Sequence, residues 1–420
     1  MARFRNFLRR LGPGFITGAS DDDPSGIATY SQIGAQFGYS QLWMALFSTP
    51  LMIAAQEMCG RIGLVTGKGL AAVIREQFSR RVLYVVVGFL CVANIVNIGA
   101  DLGAMAATIQ LFVNIPAWVL LVGMVGLIVG LEVLVSYRRY ASFLKYLTLS
   151  LFAYIVTAFV VRQDWSAIFH ATFIPSISFS RDYLLALVAI LGTTISPYIF
   201  FWQADEEVEE EISHRKIRAM GEGIPEVLPR AVSAMRLDTV TGMLFSNIVM
   251  FFIIITAAST LGVSGIMNVG TAAEAAEALR PLAGDFTFVL FALGILGTGL
   301  LAIPILAGSA AYAVSEAVGW REGLYRKFHR ARGFYGVIIV ATVVGLLVNF
   351  LPIPPFRMLY YAAAVNGVLA PPLLFIILRI ANRRDILGAH TNGPLANIFG
   401  GITVLVMGVA AVAFLVSLVV

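Results

Sequence analysis

The chain has 420 residues, 59% of them hydrophobic and 13% charged, with a mean hydropathy of +0.86. A water-soluble domain of this length carries about twice that charged share, so the composition excludes a soluble protein and leaves a polytopic membrane protein in contact with a lipid bilayer. The formal net charge of +5 reads as a topology signal rather than as a sign of nucleic-acid binding, and two cysteines, Cys59 and Cys91, read as small core residues, not a disulfide framework.

Apolar stretches long enough to cross a hydrocarbon core of roughly 30 Å as helices recur along the whole chain. Eleven are expected, at about 12–33, 40–64, 83–112, 116–136, 143–161, 183–203, 239–261, 285–315, 334–351, 357–378 and 396–418. The first is too long for a cleaved leader and has no A-x-A-like site, so it counts as span one. The longest polar insert, 204–238, is too short for a globular domain, which leaves one transmembrane domain over 1–420. With the N-terminus in the cytoplasm, every Lys and Arg except Arg162, Arg181, Arg280 and Arg357 falls on the cytoplasmic side. An even number of spans would spoil that split, so the C-terminus is expected outside, with the chain in the cell's inner (plasma) membrane.

Span one contains "SDDDPSGIA" at 20–28. A carboxylate at the bilayer centre costs about 2.5–3.5 kcal/mol, so Asp21, Asp22 and Asp23 together cannot face lipid. Pro24 removes a backbone donor and Gly26 accepts unusual dihedrals, so the helix is expected to unwind here. Backbone unwound at membrane depth is tolerated only inside protein or along a cavity. Span three carries Asp101, either a second functional acid or a structurally paired charge, with Asn94 and Asn97 read as glue between helices. Span six is interrupted in "LGTTISPYIFFWQ" at 191–203, by Gly192, Thr193, Thr194, Ser196 and Pro197. The "ADEEVEEE" that follows reads as a solvated helix more readily than as a cation funnel. Glycines and prolines at 296–304 and 366–372 read as close-packing positions.

Span one opens a set of five and span six opens the next five. Matching interruptions in two halves point to a transporter of inverted repeats, here about 12–161 and 183–378 with an added helix at 396–418, and to a site between the breaks at the midplane. Carbonyls of Ser20 and Thr193, the Asp23 carboxylate and the Ser196 hydroxyl make an all-oxygen set, suited to hard divalent cations. Asp21 and Asp22 add charge able to hold an ion through its water shell. No Met or His lies at either break, and His170, His214, His329 and His390 fall in loops or at membrane edges.

These segments resemble the Nramp divalent-metal transporters. The likeness is carried by "LGPGFITGASDDDPSGIATYSQIGAQFGYSQLW" at 11–43, "RIGLVTGKGLA" at 61–71, "GADLGAMA" at 99–106, "YRRYASFLKYLTL" at 137–149 and the span-six stretch. The resemblance implies an all-α inverted-repeat fold of the amino-acid/sodium symporter (LeuT) type, with a metal held between discontinuous helices one and six. It also marks departures. The family's Asp-Pro-Gly-Asn reads Asp23, Pro24, Ser25, Gly26, so an amide ligand is missing. Its Met-Pro-His-Asn reads Ser196, Pro197, Tyr198, Ile199, so the sulfur and the histidine tied to proton movement are gone. The acid usually found three residues after the position of Asp101 is Ala104, and a span-ten amide has only Asn366 as its nearest match. The pattern is similar to the Nramp-related magnesium branch, which implies Mg²⁺ with Mn²⁺ also accepted as substrate, and no proton coupling.

The reading is therefore a metal-ion transporter with no cofactor, working as a monomer. A proton-coupled Mn²⁺/Fe²⁺ importer is the alternative. A Na⁺-coupled amino-acid carrier is disfavoured because the acidic triplet would repel a substrate carboxylate. An intramembrane Mg²⁺-dependent enzyme needs a second acidic cluster facing the first, and no other span contains paired acids.

Overall fold

A computed structural model describes residues 12–135 and 150–418. The basic head and the 137–149 stretch that contributed to the resemblance lie outside the described residues, as does the start of the expected fifth span. Among the described residues the structure is helical, with a single isolated β-bridge between Ala219 and Glu222.

The helices of eight residues or more are, in order, α1 (Pro13–Asp21), α2 (Pro24–Phe37), α3 (Trp43–Thr66), α4 (Leu70–Gln77), α5 (Arg80–Ile109), α6 (Ala117–Leu134), α7 (Phe152–Val160), α8 (Trp165–Phe173), α9 (Arg181–Thr194), α10 (Pro197–Ser213), α11 (Pro229–Ala257), α12 (Thr287–Val318), α13 (Arg332–Val348), α14 (Pro355–Ala381) and α15 (Pro394–Ser417). Seven helical segments among the described residues are long and apolar enough to cross a membrane. The other expected spans fall short for identifiable reasons. Span one is cut into pieces of 9 and 14 residues, and α13 has 17. Much of span five lies outside the described residues, and α3 carries Gln56, Glu57 and Arg61 inside its apolar run.

In the most apolar 18-residue stretch of the segment holding α9 and α10, 89% of residues are buried, against 28% in that of α6 and 33% in that of α15. The interrupted helix is thus central, and α6 and α15 lie at the rim. α1 packs on α11, α9 on α14, α10 on α3 and α12, and α5 on α12, α13 and α14. Burying apolar area does not hold helices together where lipid is as apolar as leucine, so close backbone approach must do more of the work. A Cβ on Gly18 of α1 would lie 2.3 Å from the carbonyl of Gly242 on α11. One on Gly192 of α9 would lie 2.0 Å from the Ala363 carbonyl and 2.3 Å from the Gly367 nitrogen of α14. Neither position has room for any side chain. Asn94 acts as the expected glue, its amide donating to the Leu306 carbonyl at 2.8 Å and to the Ser309 hydroxyl at 2.7 Å on α12.

Candidate functional site

The first interruption falls at Asp22, whose φ of −81° and ψ of 51° leave the helical region. Asp23 is extended and caps α2: its Oδ1 accepts the Gly26 N–H at 2.8 Å and the Ser25 hydroxyl at 2.6 Å. A carboxylate there also meets the positive end of the helix dipole. Pro24 follows in the first turn of α2, where its missing donor costs nothing.

Gly26 corrects the expectation placed on it. It lies within α2 without a positive φ, so unusual dihedrals at Gly26 do not unwind the chain. What it provides is closeness: a Cβ there would lie 3.3 Å from the Asp21 carbonyl and from the Tyr30 ring, and 3.5 Å from the Thr193 hydroxyl.

The second interruption falls at Ile195, with φ −122° and ψ 59°, and α10 restarts with Pro197 in its first turn. Ser196 is extended but its side chain does not cap α10. Its hydroxyl turns back to donate to the Gly192 carbonyl at 2.6 Å and lies 3.1 Å from the Thr193 carbonyl. Both Ser196 and Thr193 thus keep oxygen lone pairs at the break while tidying the end of α9. Gly192, one of the residues interrupting span six, has its place set by packing on α14.

The two interruptions meet. The Tyr198 hydroxyl donates across the gap to the Ser20 carbonyl at 3.4 Å, and the Ser25 and Thr193 hydroxyls lie 3.4 Å apart. Asp21, Asp22, Asp23 and Asp101 are buried. Ser246 of α11 donates to Asp21 Oδ2 at 2.8 Å and lies 3.3 Å from Asp22 Oδ1. Among the described residues, Asp21 Oδ1, Asp22 Oδ2 and both oxygens of Asp101 have no hydrogen-bond donor. Asp101, on α5, lies within electrostatic reach of Asp23 and Tyr198. Among the described residues no Lys or Arg forms an ion pair with any of the four. Asn366 is buried on α14 beside Gly367, and among the described residues no hydrogen bond ties it to either break.

Four buried carboxylates with no basic partner among the described residues, three of them with oxygens that no donor reaches, are costly when ionised, because desolvation is not offset by a neighbouring charge. A cation between them would supply that charge. No three His, Cys, Asp or Glu side chains among the described residues converge as ligands on one point. The arrangement is therefore a set of buried oxygens at two breaks in contact with each other, not a closed protein cage. An ion that keeps part of its water shell suits such a set.

Sequence reasoning missed Ser246 and Ser25. Ser25 sits one residue from a singled-out proline, and its partner Asp23 was already in view. Ser246 lies in an uninterrupted apolar helix, where the only available signal was the adjacent polar pair Ser246–Asn247.

The profile of a family described as natural resistance-associated macrophage protein-like, or Nramp, matches residues 14–417. The chain belongs to the Nramp family. Its Nramp relatives include a protein of Deinococcus radiodurans named divalent metal cation transporter MntH. That protein is 24% identical over 92% of this chain and 84% of its own length. A second, from Caldanaerobacter subterraneus and of the same name, is 25% identical over 94% of this chain and 90% of its own. Among solved structures, the manganese transporter of Eremococcus coleocola superposes with a TM-score of 0.73 at 17% identity, covering 99% of this chain and 88% of that one. Mhp1, a nucleobase-cation-symport-1 family transporter, does so at 0.59 and 14% identity, covering 97% and 91%. These likenesses establish a LeuT-like transporter fold, as the resemblance implied.

Proposed function

We propose that this Nramp protein carries divalent metal cations across the membrane by alternating access, taking Mg²⁺ with Mn²⁺ also accepted, and without proton coupling. The observation that carries the reading is the meeting of two helix interruptions around buried carboxylate oxygens that lack both donors and basic partners. Ser20, Asp21, Asp22, Asp23, Thr193 and Ser196 surround the ion, Gly26 keeps the approach open, and Asp101 and Tyr198 sit close behind. Mg²⁺ dehydrates reluctantly and is held through one or two carboxylates plus waters, which matches a set with no sulfur and no closed cage.

Membership of the family and the two interruptions support eleven spans in a five-plus-five inverted repeat. The Lys and Arg distribution supports a cytoplasmic N-terminus and an external C-terminus in the plasma membrane. A polar cavity of about 270 Å³, lined by Gln32, Gln36, Asp182, Asn268 and Arg357 among others, opens at the end of α2 that this topology places outside. Gln32, in its lining, lies two turns of α2 beyond Ser25.

The test is flux in liposomes. Asp23→Ala is expected to abolish Mg²⁺ uptake, and normal flux in that variant refutes the site. Cd²⁺ is expected to compete weakly. Tight Cd²⁺ competition, or acidification of vesicles driven by metal entry, favours the second reading, a proton-coupled Mn²⁺ importer. That reading draws on the relatives' names and on buried Asp101 beside Asp23.

A further inference from the structure

The "ADEEVEEE" stretch of α10 is not the solvated face that the sequence favours: Asp205, Glu206, Glu207, Glu209 and Glu211 are all buried. Most of these are accounted for by contacts. Glu209 Oε1, for example, accepts the Tyr312 hydroxyl at 2.8 Å and the Leu324 N–H at 2.6 Å. Asp205 is different. It is wholly buried, and among the described residues neither of its oxygens has a hydrogen-bond donor.

Asp205 faces Glu316, near the end of α12, across Gly69 in the turn before α4. Asp205 Oδ1 lies 1.8 Å and Glu316 Oε1 2.4 Å from the point where a Cβ on Gly69 would stand. The two carboxylates therefore each bring an oxygen into the place that a side chain on residue 69 would take, so the two oxygens approach each other closely only because that residue is glycine. Glu316 Oε2 is occupied, accepting the Ala72 N–H at 3.0 Å in the first turn of α4, which fixes the direction of Oε1; that second oxygen has no donor. The nearest base, Arg75, uses its guanidinium on the main-chain carbonyl of Glu316 and forms no ion pair with either carboxylate among the described residues.

Three oxygens without donors among the described residues, on two buried acids from different helices, match the one or two carboxylates through which a small hard cation is held. We propose that Asp205 and Glu316 hold a second divalent cation, separate from the one between the helix interruptions and some eight residues further along α10 from Pro197. The ion ties α10 to the end of α12 and the start of α4. The topology reading places this site at the cytoplasmic end, but the binding itself does not depend on the transport reading.

The experiment counts Mn²⁺ bound to the purified full-length chain by electron paramagnetic resonance, with Mg²⁺ as the displacing ion. The wild type is expected to bind two Mn²⁺, and Asp205→Asn one. Asn is nearly isosteric, and the carboxylate it replaces makes no hydrogen bond that the fold could lose. Gly69→Ala, whose methyl collides with both oxygens and drives the two carboxylates apart, is expected to remove the same ion. Asp23→Ala is expected to retain it while losing the other, so failure of one site is distinguishable from failure of the other. An unchanged Mn²⁺ count in both Asp205→Asn and Gly69→Ala overturns the proposal and means that the two carboxyls share a proton instead. A wild-type count of one that Asp23→Ala abolishes overturns it equally.

Discussion

The Tyr198 hydroxyl reaches from the first turn of α10 to the Ser20 carbonyl at the end of α1, 3.4 Å away, and so links the two helix interruptions directly. In this sequence the tyrosine stands where the family pattern has histidine. A phenol stays protonated at neutral pH, so the contact is a fixed donor rather than a proton carrier. At that length the bond sits at the weak end of the neutral range, about 0.5 kcal/mol. Tyr198→Phe is expected to lower the thermal stability of the metal-free protein slightly while leaving Mg²⁺ transport independent of pH. A pH-dependent flux in the wild type that disappears in the variant runs against this.

Ser246 should matter more than its apolar helix implies. One hydroxyl serves both Asp21 and Asp22, and bonds to charged groups contribute about 1.5–3 kcal/mol. Ser246→Ala leaves two buried carboxylates without their one shared donor and frees both to reorient. Calorimetric titration is expected to show Mg²⁺ affinity reduced about tenfold or more, the equivalent of the lower figure. Unchanged affinity means that neither aspartate takes part through that orientation.

Asp238 of α11 holds the start of α1, accepting the Gly12 N–H at 2.9 Å and the Gly14 N–H at 2.7 Å. Loss of a capping side chain costs about 0.5–2 kcal/mol. Asp238→Ala is expected to speed amide exchange in the first turns of α1 and to leave exchange in α2, capped separately by Asp23, as it was. Equal protection of both segments in the variant rules out that division.

Gly192→Ala should fail in a way that Ser196→Ala does not. The new methyl meets backbone atoms of Ala363 and Gly367, which cannot rotate aside, so α9 and α14 must separate. Overpacking of this kind costs about 1–3 kcal/mol or more. Lower thermal stability in detergent is expected for Gly192→Ala, against a small change for Ser196→Ala, whose hydroxyl bonds only within its own helix end.

What the residues alone made legible was the part governed by transfer into lipid. Charge is scarce and apolar runs recur. Three adjacent aspartates cannot sit in hydrocarbon, so the first span had to break and face something polar, and the Pro at 24 and 197 marked where each second half begins. Both breaks are where those arguments put them, and the oxygen-only character of Ser20, Asp23, Thr193 and Ser196 was readable because element type is a property of sequence.

Tertiary structure alone decided which neighbours those groups meet. Gly26 read as a site of unusual dihedrals and Gly192 as part of an interruption, yet both are helical residues whose missing side chains let another element approach. Ser246 donates to the aspartates from a helix more than two hundred residues away in the chain, and hydropathy carries no trace of such a contact. The acidic run after span six read as solvated because charge ordinarily means water; only packing against α12 and the turn at Gly69 buries Asp205 and aims it at Glu316. Local free energies of transfer and of backbone conformation are written residue by residue. Pairings between distant residues depend on how helices cross, and that is fixed jointly by every close contact in the bundle.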